Sequence, residues 1–192
     1  MMIRFSFLAL TLMLLALPAA ADTSRWSGTS AISFDGTSTL HDWGGKVAVK
    51  PFATTVTTDA AGNPTQVEAT VTVEVAKMNT AEAKRDENMR KAMQAAAHPL
   101  ITGVIDTPFS AIRQGDAAPS TLPLKLTMLG KTQTITGRIS QWKLQGDKAT
   151  FDLDFDLSLK KSDIKVPSVL LFIRVGDTIK VHAAVSLKRN PS

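Results

Sequence analysis

The chain has 192 residues, 22 Lys and Arg against 17 Asp and Glu, and no cysteine. Without cysteine there are no disulfides, no thiolate chemistry, no cysteine-ligated zinc and no lipid anchor on a cysteine. The formal charge of +5 is spread thinly, with no dense basic run interleaved with aromatics, which speaks against a nucleic-acid partner.

The N-terminus carries one early charge, Arg4, then an apolar run from Phe5 to Leu17, the breaker Pro18, and small residues Ala19-Ala20-Ala21. That is the layout of a secretory signal peptide. The run falls short of the ~20 residues a spanning helix needs. Cleavage after Ala21 is therefore expected, leaving residues 22–192 as one exported, periplasmic domain. Loss of Arg4 takes the formal charge from +5 to +4.

From there the chain reads as strands. Trp26, Gly28, Ser30, Ile32 and Phe34 alternate with polar neighbours. After Gly36-Thr-Ser-Thr39, Val47, Val49 and Phe52 begin a second run that reaches Thr58. Asp59 to Pro64 is a turn. Val67, Ala69, Val71, Val73 and Val75 then alternate with Glu68, Thr70, Thr72 and Glu74, a period of two. Asn79 to Ala97 breaks the pattern with helix formers; Asn79, with Glu82 three residues on, is the expected N-cap. Met89, Met93 and Ala96 share a face, and Pro99 ends the helix. Strand alternation resumes from Leu100 to Ile112. Leu122 to Met128 leads through Gly130-Lys131 into Thr132–Leu144 as a hairpin. Residues 148–159 and 177–188 alternate without a break.

One-sided alternation means one packed or sheltered face and one wet face. Seven or eight such strands with one helix fit a closed barrel or a sandwich. Length favours the barrel: the stretches 65–76, 148–159 and 177–188 are far longer than a usual strand of roughly 5–6 residues. Tilted by ~40°, such strands build a wall roughly 30 Å tall. The inner-face residues are mostly small or flexible, and the chain has no tyrosine, so solid filling is difficult. The sandwich with a solid core stays open at this level.

No constellation for catalysis stands out. His41, His98 and His182 show no metal-ligand spacing. Asp152, Asp154 and Asp156 share one strand face, the ordinary place for solvated carboxylates. There is no Gly-x-Ser-x-Gly elbow, phosphate loop or dinucleotide fingerprint. The expectation is a protein that is not an enzyme and uses neither metal nor cofactor. Lys160-Lys161 and Lys188-Arg189 read as solvated surface, or as weak attraction to an anionic membrane face.

Four segments in order carry a resemblance: Phe34-Asp-Gly-Thr-Ser-Thr-Leu-His41-Asp42-Trp43-Gly44; Met78-Asn-Thr80 with Lys84 to Lys91 and His98-Pro99; Leu126-Thr-Met-Leu-Gly130-Lys131-Thr132; and Val175-Gly176-Asp177. Together they resemble the YceI-like family of exported lipid-binding proteins. The resemblance implies an all-β, extended, lipocalin-like antiparallel barrel of about eight strands, with one helical segment near its mouth. It also implies an isoprenoid, fatty-acyl or similar apolar lipid held in the lumen. Two departures, Gly103-Val104 where relatives often have Phe and Ser162-Asp163-Ile164-Lys165 at a usual turn, leave the lipid's identity open.

The expected lumen wall is Val71, Val73, Phe109, Leu126, Met128, Phe151, Leu153, Phe155, Val181 and Ala183. The expected mouth and helix-facing residues are His41, Trp43, Arg85, Met89, Met93 and Phe172. Expected partners are an apolar lipid and, transiently, a membrane surface; a homodimer is left open. The rival readings are a periplasmic stress or redox accessory acting through protein contacts, and a lipid-modifying enzyme.

Overall fold

The computed structural model describes residues 21–112, 119–165 and 174–191. Period-two alternation becomes nine strands: β1 (Asp22–Ser38), β2 (Trp43–Ala48), β3 (Phe52–Thr58), β4 (Pro64–Glu74), β5 (Leu100–Pro108), β6 (Thr121–Met128), β7 (Lys131–Gln145), β8 (Lys148–Ser158) and β9 (Val175–Arg189). From β3 to β9 each strand pairs antiparallel with the next, and β9 returns to β1, from Trp26↔Arg189 to Ser38↔Val175. The sheet closes on itself, which decides between barrel and sandwich and removes the free edges of an open sheet.

β2 and β3 share one position in this ring. β3 pairs with the start of β1 (Gly28↔Phe52) and β2 with its later part (Ile32↔Val47). Pro51 lies between them and has no N–H to give to the ladder. Nine strands thus make an eight-position barrel.

Local chemistry sets the strand ends. At the β6–β7 hairpin the closing pair is Met128↔Lys131, so the turn is Leu129-Gly130, one residue earlier than the expected Gly130-Lys131. Both turn residues have positive φ, 49° and 71°, the type I′ arrangement whose twist suits two antiparallel strands. The strand expected to run to Ile112 stops at Pro108, and α2 (Phe109–Ile112) adds one helical turn. Proline removes a ladder donor and presets a helical φ.

The helix is shorter than the expected Asn79–Ala97: α1 is Ala83–Ala92. Asn79 is not its cap. The Asn79 backbone is taken by an antiparallel bridge to Lys46, with both hydrogen bonds made. Glu82 caps instead, its carboxylate accepting from the N–H groups of Lys84 (3.0 Å) and Arg85 (2.6 Å). At the other end the chain turns left-handed at Gln94 (φ 48°), before Ala97 is reached.

Two close approaches explain glycines near the mouth. A Cβ on Gly36 would lie 2.4 Å from the Trp43 ring, and one on Gly45 would lie 2.4 Å from the Phe34 ring. The rings lie flat on their cross-strand partners, Gly36↔Trp43 and Phe34↔Gly45.

Candidate functional site: an apolar lumen with a polar rim

The inward faces of the strands do not fill the barrel. Phe151, Phe155, Leu157 and Leu159 point inward yet are only partly buried, because they border empty space. Two chambers result. The upper one, about 400 Å³, lies at the α1 end, and the lower one, about 210 Å³, lies toward α2. Ile32, Val73, Ile101, Leu126 and Phe155 border both and form the waist where they abut. Ligand pockets for drug-sized molecules run from ~300 to 1,000 Å³ and are mostly apolar.

The hollow follows from side-chain size. Ala69, Gly103 and Ala183 face the lower chamber together with Val67, Val71 and Val185. At Gly137, an inward position of β7, the Leu153 side chain lies over the backbone, 2.5 Å from where a Cβ would sit. One large residue reaches the lumen by a different route. Uninterrupted alternation from Ile139 would aim Trp142 outward. The register slips between Ser140↔Asp152 and Lys143↔Thr150, and Gln141 takes φ 53°. This bulge inserts one residue and turns Trp142 inward, where its ring meets Phe151 at 5.6 Å.

Titratable groups are confined to the rim. His41, Glu82, Lys84 and Arg85 border the upper chamber, and the lower chamber has none along its wall. Phe34 and Trp43 meet edge to face at 6.3 Å, and the Arg85 guanidinium stands 6.0 Å from the Trp43 ring. This stack joins β1, β2 and α1 on one side of the mouth.

Carboxylates hold the rim segments in place. Asp86 accepts from the Thr80 hydroxyl (2.7 Å) and N–H (2.9 Å), tying α1 to the segment before it. Asp177 accepts from the Ser158 hydroxyl (2.7 Å) and the Lys160 N–H (2.8 Å). Both carboxyls sit below the usual range, Asp86 chiefly through the Thr80 side chain and Asp177 chiefly through the Lys160 N–H. Beneath them Gln133 donates to the Ser158 carbonyl (2.8 Å) and to the fully buried Ser162 hydroxyl (2.6 Å). This polar latch seats Leu159 and Ile164 in the chamber wall.

All ten expected wall residues border the lumen. Met128 and Val181 face the upper chamber; Val71, Phe109, Phe151, Leu153 and Ala183 face the lower; Val73, Leu126 and Phe155 stand at the waist. Of the expected mouth residues, His41, Trp43, Arg85, Met89 and Met93 border the upper chamber, and Phe172 lies outside the described residues. Sequence reasoning missed Phe34, Met78, Ile101, Trp142, Ile164 and Val175 as wall residues. Phe34 and Ile101 lie on alternating strands and were legible; Trp142 was hidden by the bulge.

The histidines do not converge. His182 is on the outer face, its Nδ1 2.8 Å from Asp154, which also pairs with Arg138. Among the described residues no group of three or more His, Cys, Asp or Glu could hold a metal ion.

A closed, eight-position, up-and-down antiparallel barrel with an apolar lumen and a helix beside its polar rim is a lipocalin-like protein. The YceI-like domain family matches residues 26–187, and the chain belongs to it. Its fold is shared with BcnA of Burkholderia cenocepacia (TM-score 0.64, 18% identity, covering 82% of this chain and 95% of that one). It is also shared with a polyisoprenoid-binding domain from Saccharophagus degradans implicated in plant cell wall breakdown (TM-score 0.63, 12% identity, 86% and 98% covered). No protein of curated function matches the sequence.

Proposed function

We propose that this chain is an exported, non-enzymatic carrier or store that holds a long-chain apolar lipid, of isoprenoid or fatty-acyl type, in its lumen. The observation that carries this reading is the pair of apolar chambers whose inward-facing residues remain partly uncovered. An empty apolar cavity forfeits dispersion contacts on its walls, and a bound hydrocarbon restores them. The polyisoprenoid-binding domain of S. degradans, which shares the fold, supports the ligand class. The signal-like residues 1–21 support export to the periplasm.

The lumen spans roughly 20 Å along the barrel axis. Phe151 to Leu159 is eight residues at ~3.3 Å each, foreshortened by a tilt of ~40°. A backbone of three bonds per residue advances ~3.6 Å when extended, or ~1.2 Å per bond, so a chain of about sixteen carbons threads both chambers. At ~0.8 kcal/mol per methylene the gross gain exceeds the association cost of at least ~4 kcal/mol. With titratable groups only at the rim, the site is suited to burying a tail while a polar head stays in water.

Loading and release at a membrane fit the same end of the barrel. Leu40 (68% exposed) and Leu100 (44% exposed) sit at the mouth end, and Lys84, Arg85, Lys131, Lys160, Lys161 and Arg174 belong to the same end. Apolar tips among cations suit brief contact with an anionic lipid surface.

Solvent extraction and mass spectrometry of natively purified protein test the proposal. The expected result is a co-purifying long-chain lipid at close to one per chain. Protein that carries no lipid and takes up no fluorescent long-chain probe after delipidation refutes it.

A further inference from the structure

Beyond residue 21 the chain has four methionines, Met78, Met89, Met93 and Met128, and all four border the upper chamber. They arrive from three places in the fold. Met78 follows the 3-10 turn Val75–Lys77, Met89 and Met93 are one turn apart at the C-terminal end of α1, and Met128 ends β6. The cluster is therefore not the periodicity of one element repeated. Met93 and Met128 are buried, at 5% and 3% exposure, and Met78 and Met89 are partly exposed at the chamber's edge. The chain has no cysteine, so no thiol competes with these thioethers for oxidants.

We propose that this thioether cluster is a hydroperoxide-reactive modification site, and that its oxidation lowers the chamber's affinity for an apolar chain. The step is an oxygen transfer from a hydroperoxide to methionine Sδ. The O–O bond breaks and an S–O bond forms. The thioether becomes a sulfoxide, oxidised by two electrons, and the peroxide is reduced by two. Its proton ends on the departing oxygen, giving water from hydrogen peroxide or an alcohol from an organic hydroperoxide. The product is a polar group where a flexible apolar one stood. Donors of the upper chamber such as His41, Lys84, Arg85 and Asn88 stand at its rim, and the rest of its wall includes Phe34, Val47, Ile101 and Leu157, whose side chains have no hydrogen to donate. At the buried Met93 and Met128 a bound tail would cover the new oxygen against apolar wall, and at Met78 and Met89 it would have to displace the water or rim donor that the oxygen holds; both make binding unfavourable. The inference rests on the lipid-holding reading.

The test treats delipidated, folded protein with hydrogen peroxide, maps sulfoxides by peptide mass spectrometry, and titrates a fluorescent fatty acid. Sulfoxides are expected at Met78 and Met89 before Met93 and Met128, with dissociation constants at least about tenfold higher after oxidation. Prior occupancy by the probe should slow the oxidation. The variant carrying Met78→Leu, Met89→Leu, Met93→Leu and Met128→Leu is compared only with itself: whatever its untreated affinity for the probe, peroxide should leave that affinity unchanged. Should that variant fold poorly, Met78→Leu with Met89→Leu is expected to lose most of the early response. Oxidised protein that binds as tightly as reduced protein overturns this inference alone, as does equal weakening of a folded Leu variant. Reduced protein that takes up no probe overturns the lipid-holding reading with it.

Discussion

A tryptophan at Val73 should divide the lumen. Val73 is 8% exposed and belongs to the waist ring with Ile32, Ile101, Leu126 and Phe155. An indole there would cross the passage between the chambers. The lower chamber runs from Phe155 to Phe151, four residues of β8. That is roughly 10 Å along the axis at ~3.3 Å per residue and a ~40° tilt. At ~1.2 Å per bond it takes about eight methylenes, worth roughly 6 kcal/mol gross at ~0.8 each. Chain ordering offsets part of this, so a net loss of about 3 kcal/mol, more than a hundredfold in Kd, is expected for a long-chain probe. A short-chain probe confined to the upper chamber should lose far less. Fluorescence titration of Val73→Trp with fatty acids of increasing length reads both. Overpacking costs about 1–3 kcal/mol, so far-ultraviolet dichroism and a urea melt accompany the titration. A folded variant that keeps full affinity for the longest chain would show that ligand does not pass the waist.

Other substitutions test how the mouth is held. Gly45→Ala places a Cβ 2.4 Å from the Phe34 ring and 2.9 Å from the Asn79 carbonyl oxygen; about 1–3 kcal/mol of stability should be lost, read from the urea midpoint. Gln133→Leu leaves the buried Ser162 hydroxyl and the Ser158 carbonyl without their donor. A loss of about 2–6 kcal/mol is expected at ~1–3 per orphaned group, with faster amide exchange in residues 158–165; unchanged exchange would refute the latch. Asp86 and Asp177 have folded carboxyl pKa values below their unfolded ones. Their contribution is therefore complete above the ordinary carboxylate value of ~3.9 and fades as the pH falls below it. Asp177→Asn should lower the urea midpoint at neutral pH and shrink the drop between pH 5 and pH 3; an unaltered drop would count against the assignment.

Much of this molecule is legible in the period of two. The stretches 148–159 and 177–188 become β8 and β9 with their inward faces as read, because an uninterrupted alternation leaves one register that buries the apolar face. Three features escaped for physical reasons. The cap of α1 moved from Asn79 to Glu82 because a long-range bridge to Lys46 claimed the Asn79 backbone, and no local pattern reports such pairing. The end of β5 at Pro108 was written in the sequence but overridden by the apolar residues Phe109 and Ile112 that follow. Trp142 is hidden from a period-two reading, since one inserted residue at Gln141 reverses every side chain after it.

The harder question is how a chain without disulfides holds a hollow interior at all. Closure supplies the first part of the answer, since β1 pairs with β9 and the ring of strands has no open end. The second part is that large and small residues are matched across strands: Phe34 covers Gly45, Trp43 covers Gly36, Phe52 covers Gly28 and Leu153 covers Gly137. These pairs fill space against the wall and leave the axis clear. Replacing the glycines by larger residues would push the rings toward the axis, trading lumen for strain. The same residues that keep the barrel wall dense therefore keep its centre empty, so stability and capacity for an apolar chain are set by one set of choices rather than two opposed ones.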